Sequence, residues 1–398
     1  MKKILFVYDA MILGGSTTSL ISLLNNLSPN KYEIDLQLYR NEGPLLNEIP
    51  PYVNLLPAAE KYSGLQGKLL KGCKFIFKGY FFSGFLKEYK NGKKIIFSKN
   101  SIYDCQAKEF SRKNSKRYDY AIGFLEGWPD LYVSYMVNAR KKYAWLHSTF
   151  RNITNNPKEE MRWMPLVDKI VFVTNKCLEQ FQEEVPEMAH KAIAIENITD
   201  TNVIRERSLA TDDKDLDFKN FMTKDCFKII TVCRITISVK GLDRIIYCAK
   251  KLKNLGRKFA WYIIGDGPDK EELMKMVEIN NLKEYVYVIG KRMNPYPYIK
   301  EADIMCMPSR YEGKPMAITE SLILGVPPVV TAYLSANEQI RNFIDGIVVE
   351  NNDLAIFEAV DQCITTESLV ENLKENIRKF DYGNQGYINE IEERLFLK

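Results

Sequence analysis

Residues 308–321 read PSRYEGKPMAITES, and the pattern around them predicts the fold class of the chain. The four apolar residues before it, 304–307, predict a buried strand, and the glycine and proline within it predict a loop. Apolar residues then recur at helical spacing up to Gly325 at the C-cap, with Pro315 as the first helical residue. A strand, a glycine-containing loop and a helix start together favour phosphate binding. Two carboxylates, Glu312 in the loop and Glu320 in the helix, bracket this predicted site.

This pair of glutamates, spaced Glu-x7-Glu with a glycine after the first, resembles the signature of retaining GT-B glycosyltransferases of family four. The resemblance implies an α/β fold of the GT-B type, in which two Rossmann-like domains face each other across a deep cleft. It also implies that Glu320 binds the nucleotide ribose and that Glu312, as a catalytic residue, lies beside the donor sugar and its phosphate. The backbone that would hold sugar hydroxyls and phosphate belongs to Gly313, Lys314, Pro315 and Met316.

Two cations earlier in the second half predict a clamp for a diphosphate. Arg234 follows a predicted strand at 227–232, and Lys240 stands where the next helix begins. Arginine can bind phosphate oxygens in pairs, whereas lysine acts as a point charge. This arrangement resembles the family's Gly-Arg-Leu…Lys-Gly element, although Cys233 replaces the glycine and the two cations are one residue further apart. Gly290 and Lys291 resemble the loop that presents backbone atoms to the base in that family.

The amino-terminal half contributes a glycine pair and a histidine. Gly14 and Gly15 follow a strand predicted at 3–8 and precede a helix predicted at 16–27. They resemble the family's Gly-Gly loop near the donor phosphates, although residues 16–18 are Ser-Thr-Thr where Ala-Glu is usual. His147 ends a strand predicted at 142–146, the edge where open α/β sheets bind ligands. The resemblance implies that His147 approaches the donor sugar or the acceptor.

The length of 398 residues indicates two or three domains. We predict an amino-terminal Rossmann-like domain at 1–205, on the acceptor side, and a nucleotide-sugar-binding domain at 206–380. A final helix within 381–398 could return to the first domain. The polar stretch 199–225 is predicted to be the linker between the domains.

The net charge of +5 is mild, but its distribution is uneven. The segment 61–117 holds fifteen Lys and Arg residues against three acidic ones, and many aromatic residues lie among them. Such an insertion favours contact with an anionic membrane surface. The alternative is a solvated basic face above inward-packed aromatic rings. Nothing else in the sequence supports a nucleic-acid partner.

Composition also bears on compartment and cofactors. No run of about eighteen apolar residues predicts a membrane span, and the first residues fit a strand better than a signal peptide. The eight cysteines are scattered without a Cys-x2-Cys pair, and the chain has only two histidines. We therefore expect a cytoplasmic protein with reduced cysteines, at most peripheral on the membrane, with no metal site.

These features together predict an enzyme that transfers a sugar, with retention, from a nucleotide-diphosphate sugar to an acceptor hydroxyl. A UDP-sugar is the favoured donor, no metal or other cofactor is expected, and cations would stabilise the leaving phosphate. The acceptor is predicted to be a lipid-linked glycan of a bacterial surface polysaccharide. The alternatives are a catalytically inactive GT-B subunit that binds a partner or lipid, a GT-B phosphorylase or epimerase, and an NAD-dependent enzyme, for which the glycine fingerprint is missing.

Overall fold

The computed structural model describes residues 1–60, 114–153, 160–210 and 215–397. The chain forms two compact units. The amino-terminal unit comprises Met1–Val173, Leu178–Ile195 and Glu392–Lys398, and the carboxy-terminal unit comprises Thr174–Cys177 and Glu196–Ile391. Most of the basic aromatic insertion, 61–113, lies outside the described residues, so its predicted membrane contact stays a prediction.

The amino-terminal unit is built on a parallel sheet with the strand order β3-β2-β1-β4-β5-β6-β7. Its first strand carries a buried apolar run at residues 4–8, as expected for a parallel sheet that is covered on both faces. Its strands are β1 (Lys2–Tyr8), β2 (Tyr32–Leu38), β3 (Asn54–Leu55), β4 (Arg117–Gly123), β5 (Asn138–Leu146), β6 (Lys169–Phe172) and β7 (Ala192–Ala194). Its α-helices are Gly15–Asn26, Trp128–Met136, Phe150–Ile153 and Asn175–Glu184, the last of which begins in the other unit.

The carboxy-terminal unit has a second parallel sheet, in the order β10-β9-β8-β11-β12-β13. Its strands are β8 (Phe227–Val232), β9 (Phe259–Ile264), β10 (Val286–Gly290), β11 (Ile304–Met307), β12 (Pro328–Thr331) and β13 (Ile347–Val349). Its α-helices are Thr201–Leu209, Leu216–Thr223, Ile237–Lys240, Leu242–Asn254, Lys270–Ile279, Tyr296–Lys300, Met316–Ile323, Ala336–Gln339, Asp353–Thr365, Glu367–Ile377 and Tyr387–Ile391.

Both units therefore confirm the predicted α/β class with two Rossmann-like sheets. In each sheet the strand order reverses beside the first strand, so crossovers leave in opposite directions from β1 and β4, and from β8 and β11. Such a switch point leaves a crevice at the carboxyl ends of the strands, where open α/β sheets bind ligands. Arg234 follows β8 and Glu312 follows β11, so the predicted donor residues lie at the switch point of the carboxy-terminal sheet.

The stretch 199–225, which the sequence analysis predicted to link the domains, belongs to the carboxy-terminal unit. This stretch contains the helices Thr201–Leu209 and Leu216–Thr223, capped by the side chains of Asp200 and Asp215. Ile204 and Phe221 are buried in the core of the carboxy-terminal unit. The long carboxy-terminal segment of that unit begins at Glu196, whereas the sequence analysis placed the boundary after residue 205. Two buried apolar side chains and two capping aspartates thus support these two helices, although the average composition of the stretch is polar.

Two further boundaries differ from the predictions. Strand β5 begins at Asn138, not at 142, because its first residues pair with β4 although they are polar. Pro315 is the N-cap of the helix Met316–Ile323 and not its first residue; it has an extended backbone with φ of −66° and ψ of 116°. Gly325 follows that helix with a positive φ of 81°, as predicted for a helix end.

The last residues of the chain pack on the amino-terminal sheet. The hydroxyl of Tyr120 donates to the carbonyl of Phe396 at 2.6 Å, and that of Tyr143 donates to the carbonyl of Leu395 at 2.6 Å. Leu395 and Phe396 are fully buried. Among the described residues, no helix is both long enough and apolar enough to cross a membrane.

Candidate active site

The centre of the predicted donor site is an ion pair between Lys240 and Glu312. The Lys240 Nζ lies 2.7 Å from Glu312 Oε1 and 2.9 Å from Oε2, so both carboxylate oxygens are engaged. The Glu312 side chain is 8% exposed and that of Lys240 is 20% exposed. Burial, the largest single effect, lowers the pKa of Lys240, but the charge of Glu312, its hydrogen bonds and the nearby Cys233 together outweigh burial, and the net shift is upward. Lys240 is therefore a firmly charged ammonium group.

Two contacts fix this pair in place. The fully buried Ser309 hydroxyl donates to Glu312 Oε1 at 2.6 Å. On the other side, Gly241 has a φ of +64°, and a methyl group at this residue would lie 2.1 Å from the carbonyl oxygen of Pro308. The backbone after Lys240 therefore touches the backbone before Ser309. This close approach, which only glycine permits, brings the ends of β8 and β11 together.

Arg234 lies beside this pair and is open to solvent. Its side chain is exposed, and it makes no ion pair or hydrogen bond with the described part of the chain. The positive charge of Arg234 acts on Lys240 and lowers its pKa, although the other effects outweigh it. Arg234 and Lys240 both lie in the segment that follows β8, and Arg234 has no acidic partner among the described residues, so the segment has a local excess of positive charge. An anion with several oxygens, such as a diphosphate, would satisfy both.

Glu320 has a different environment from Glu312. It is 7% exposed, and Oε1 accepts a hydrogen bond from the buried hydroxyl of Tyr296 at 3.2 Å. Burial raises the pKa of Glu320 to about 7, while the Tyr296 hydroxyl and the charge of Arg207 act in the opposite direction. The Arg207 guanidinium lies over the Tyr296 ring, 5.8 Å from its centre. A buried carboxylate has lost most of its contacts with water, so hydroxyl groups that donate hydrogen bonds stabilise it. The hydroxyls of a ribose could donate such hydrogen bonds.

The predicted cradle, residues 313–316, is held by its neighbours. Ser335 donates its hydroxyl to the carbonyl of Gly313, and Gln339 donates to the carbonyl of Pro315 at 2.9 Å. The Lys314 side chain forms an ion pair with Glu196, and its Nζ lies 2.6 Å from Glu196 Oε2. The remaining members are positioned as follows: Met316 is buried at the helix start, Gly290 ends β10 with a φ of +76°, and Lys291 is exposed after it.

The glycine pair of the amino-terminal unit starts a helix, as predicted. Gly14 is the N-cap and Gly15 the first residue of Gly15–Asn26. A methyl group at Gly14 would meet no atom within 4 Å, so packing within the described structure does not demand glycine there. Ser16 and Thr17 instead bind the hydroxyl of Tyr8, at 2.7 and 3.0 Å. The unusual Ser-Thr sequence thus fastens the helix start to the end of β1.

His147 follows the end of β5 in the amino-terminal unit. Its ring packs edge-on against Phe124, with the ring centres 4.8 Å apart. Burial lowers the pKa of His147 to about 3, although a hydrogen bond to the Phe124 backbone favours the charged form. The imidazole is therefore neutral near pH 7. Its backbone N–H donates to Glu126 Oε2 at 3.0 Å.

The sequence did not single out three groups that hold the predicted residues. Ser309 precedes Glu312 by three positions, which is a usable signal because both lie in one loop. Glu126 and Glu196 are far from their partners in sequence, and no local pattern marks them. Within the described residues, no group of three or more His, Cys, Asp or Glu side chains could hold a metal ion.

Comparison with known proteins supports the reading of the carboxy-terminal unit. Residues 212–380 match the family model described as glycosyl transferases group 1. The UDP-Gal:alpha-D-GlcNAc-diphosphoundecaprenol alpha-1,3-galactosyltransferase of Escherichia coli is 30% identical over 130 residues, which are 31% of this chain and 33% of that protein. The putative colanic acid biosynthesis glycosyltransferase WcaL of Escherichia coli K12 is 30% identical over 180 residues, 41% of this chain and 43% of that protein.

The chain thus spans less than half the length of these curated relatives. Structural similarity extends further. The crystal structure of HepE from Anabaena in complex with UDP and glucose has a TM-score of 0.68 at 14% identity, over 100% of both chains. At that identity the likeness establishes the fold alone, and the predicted GT-B fold is confirmed.

Proposed function

We propose that this protein is a retaining glycosyltransferase that transfers a hexose or related sugar from a UDP-sugar to an acceptor hydroxyl. The observation that carries the proposal is the group of Arg234, Lys240 and Glu312 at the switch point of the carboxy-terminal sheet. One of its two cations has no acidic partner in the described structure, and the other is held beside the carboxylate. The family match of residues 212–380 supports the same reaction class.

The chemistry needs stabilisation of negative charge more than a strong acid. When the bond between the sugar and the diphosphate breaks, charge builds up on the leaving phosphate. Arg234 and Lys240 would meet that charge, and the buried setting of Lys240 strengthens the interaction. No metal is needed in this scheme.

Glu312 would orient the donor sugar and stabilise positive charge at its anomeric carbon. Its Oε1 already accepts from Ser309, and both oxygens contact Lys240, so its geometry is fixed before the donor binds. Retention would follow from attack on the same face that the phosphate leaves, with the departing phosphate taking the proton of the acceptor hydroxyl. Glu320 would bind the ribose hydroxyls, and the backbone of residues 313–316 the sugar and phosphate.

For the acceptor we propose a lipid-linked glycan of a bacterial surface polysaccharide, with His147 and the amino-terminal unit on the acceptor side. Support comes from two of the relatives, of which one is a galactosyltransferase that acts on a diphosphoundecaprenol-linked sugar and the other is a putative glycosyltransferase of colanic acid biosynthesis. We also propose a peripheral location at an anionic membrane. The presence of Arg234, Lys240, Glu312 and Glu320 argues against an inactive subunit.

The prediction that tests the donor site concerns Arg234→Ala. Ligand binding raises the melting temperature by mass action, so the unsubstituted protein should be stabilised by UDP and its sugars. Hydrogen bonds to charged groups contribute roughly 1.5–3 kcal/mol, so Arg234→Ala should weaken UDP binding by about 10- to 150-fold. A thermal-shift panel of UDP, GDP, ADP and CMP with their sugars measures both.

The matched control is Arg378→Ala, because Arg378 is an exposed arginine at the C-cap of the helix Glu367–Ile377. Its UDP affinity should equal that of the unsubstituted protein. If none of the nucleotides stabilises the protein, the proposed donor class is wrong. If Arg234→Ala binds UDP as tightly as the control, Arg234 is not a phosphate ligand.

A further inference from the structure

The backbone of His147 is held by a side chain and not by the sheet. Strand β5 pairs with β4 only as far as Gly123, which is opposite Ala144. After Gly123 the chain turns, and Glu126 reaches back to accept the N–H of His147 through Oε2 at 3.0 Å. The Glu126 carboxylate therefore accepts the N–H of His147 beyond the point where the pairing of β4 with β5 ends. An amide left without an acceptor in such a site is unfavourable.

The turn that delivers Glu126 is tightly specified. Gly127 has a φ of +97°, a backbone conformation that residues other than glycine rarely adopt. It is the N-cap of the helix Trp128–Met136. The Glu126 carboxylate also accepts its own backbone N–H, so it has two backbone donors in all. These two hydrogen bonds favour the ionised form against the burial that raises the pKa of Glu126.

A second carboxyl group lies next to this one and has the opposite environment. Asp130 is 1% exposed, and neither of its oxygens makes a full hydrogen bond in the described structure. It packs against the backbone of Gly123, where an added methyl group would lie 2.7 Å from Oδ1. Burial first, and then the charges of Glu126 and Glu160, raise the pKa of Asp130 well above its usual value, while the backbone N–H of Gly127 acts in the opposite direction. The other titratable groups that face this pair are Tyr8 and His147.

We propose that Glu126 is the positioning residue for His147 and that Asp130 holds a proton beside it, so that the pair carries one negative charge. Glu126 keeps the charge because two backbone N–H groups, including that of His147 at 3.0 Å, favour its ionised form, whereas only the backbone N–H of Gly127 does so for Asp130. The pair thus fixes the end of β5 without adding two like charges to the core. The relevance to catalysis rests on the proposed function, but the positioning itself does not.

The test uses the fact that the chain contains only two histidines, His147 and His190. Histidine ring NMR can therefore follow His147 alone once His190 is replaced by glutamine. In that background we compare Glu126→Gln, which keeps an acceptor oxygen, with Glu126→Ala, which removes it. Both variants lose the charge, so a difference between them reports the hydrogen bond.

We expect His147 to stay neutral down to about pH 3 in the parent and to behave alike in Glu126→Gln. In Glu126→Ala the loosened ring should titrate closer to the ordinary pKa of about 6.5. An unchanged titration in Glu126→Ala, or an equal shift in both variants, would overturn the positioning role. This readout does not need activity, so it remains valid if no sugar is transferred.

Two further measurements complete the test. In a transfer assay, Glu126→Ala should lower kcat about tenfold or more with little change in donor KM, and should have less than a twofold effect in a His147→Ala background. The same loss in both backgrounds would contradict action through His147. The Asp130→Asn variant tests whether Asp130 is protonated. Because folding raises the pKa of Asp130, this group makes the protein less stable as the pH rises past its unfolded pKa. We therefore expect Asp130→Asn to melt no lower than the parent at pH 8. A melting temperature lower by several degrees would show that Asp130 is ionised.

Discussion

Replacing Lys240 with methionine is expected to lower turnover with a UDP-sugar by about 100- to 1000-fold, the usual effect of removing one donor that stabilises transition-state charge. The substitution also leaves Glu312 buried without its cation, and breaking a buried pair in this way costs about 3–5 kcal/mol. We therefore expect lower stability as well as lower activity. Steady-state kinetics and thermal unfolding of the same preparation measure the two effects.

A double variant separates the two effects. Lys240→Met with Glu312→Leu replaces the pair by apolar groups of similar size, which is often neutral or stabilising. We expect the double variant to regain stability and to remain inactive. If Lys240→Met alone keeps activity within threefold of the parent, Lys240 does not meet the leaving phosphate. If the double variant is as unstable as the single one, the ion pair is not the source of the stability loss.

The second large effect is expected at Glu320, as a change in the pH dependence of donor binding. The pKa of Glu320 is raised to about 7 by burial, so the group is ionised at pH 8.5 and protonated at pH 6. Only the ionised form has all its lone pairs available for ribose hydroxyls. Affinity for a UDP-sugar, whose substituted diphosphate does not titrate in this range, should therefore rise with pH through about 7. In Glu320→Gln it should be about tenfold or more weaker at pH 8.5 and independent of pH.

Tyr296→Phe is the matched control for this assignment. It removes the hydroxyl that donates to Glu320 and keeps the buried ring. Because that hydrogen bond favours the ionised form, its loss should move the step in affinity to higher pH without abolishing it. Calorimetric titrations between pH 6 and pH 9 would show the shift. A step that survives in Glu320→Gln belongs to another group.

The sequence predicted local features of the carboxy-terminal unit well because they depend on local patterns. Strands β8 and β11 and the helix Met316–Ile323 follow from apolar periodicity with glycine and proline at the ends. The prediction of a linker at 199–225 rested on the polar average composition of this stretch. The structure instead buries two of its apolar side chains, Ile204 and Phe221, in the core of the carboxy-terminal unit. Sequence periodicity does not predict which segments of mixed composition bury their apolar side chains in the core.

The candidate site shows the same division. Arg234, Lys240, Glu312 and Glu320 could be named from motif and spacing. Their states could not be predicted, because the Lys240–Glu312 pair joins two strand ends that are 72 residues apart in sequence. The hold of Glu126 on His147 is invisible for a similar reason. Charge and protonation depend on neighbours brought together by the fold, and a single sequence contains no record of those contacts.

The most direct test of the central claim, that the carboxy-terminal unit grips a sugar nucleotide between cations and Glu320, is calorimetric titration of the full chain with UDP-glucose and UDP at pH 8. We predict binding of one molecule per chain, abolished or weakened at least tenfold in both Arg234→Ala and Glu320→Gln and unchanged in Arg378→Ala. Absence of binding heat with these ligands and with the other sugar nucleotides, or equal binding by all four proteins, would contradict it.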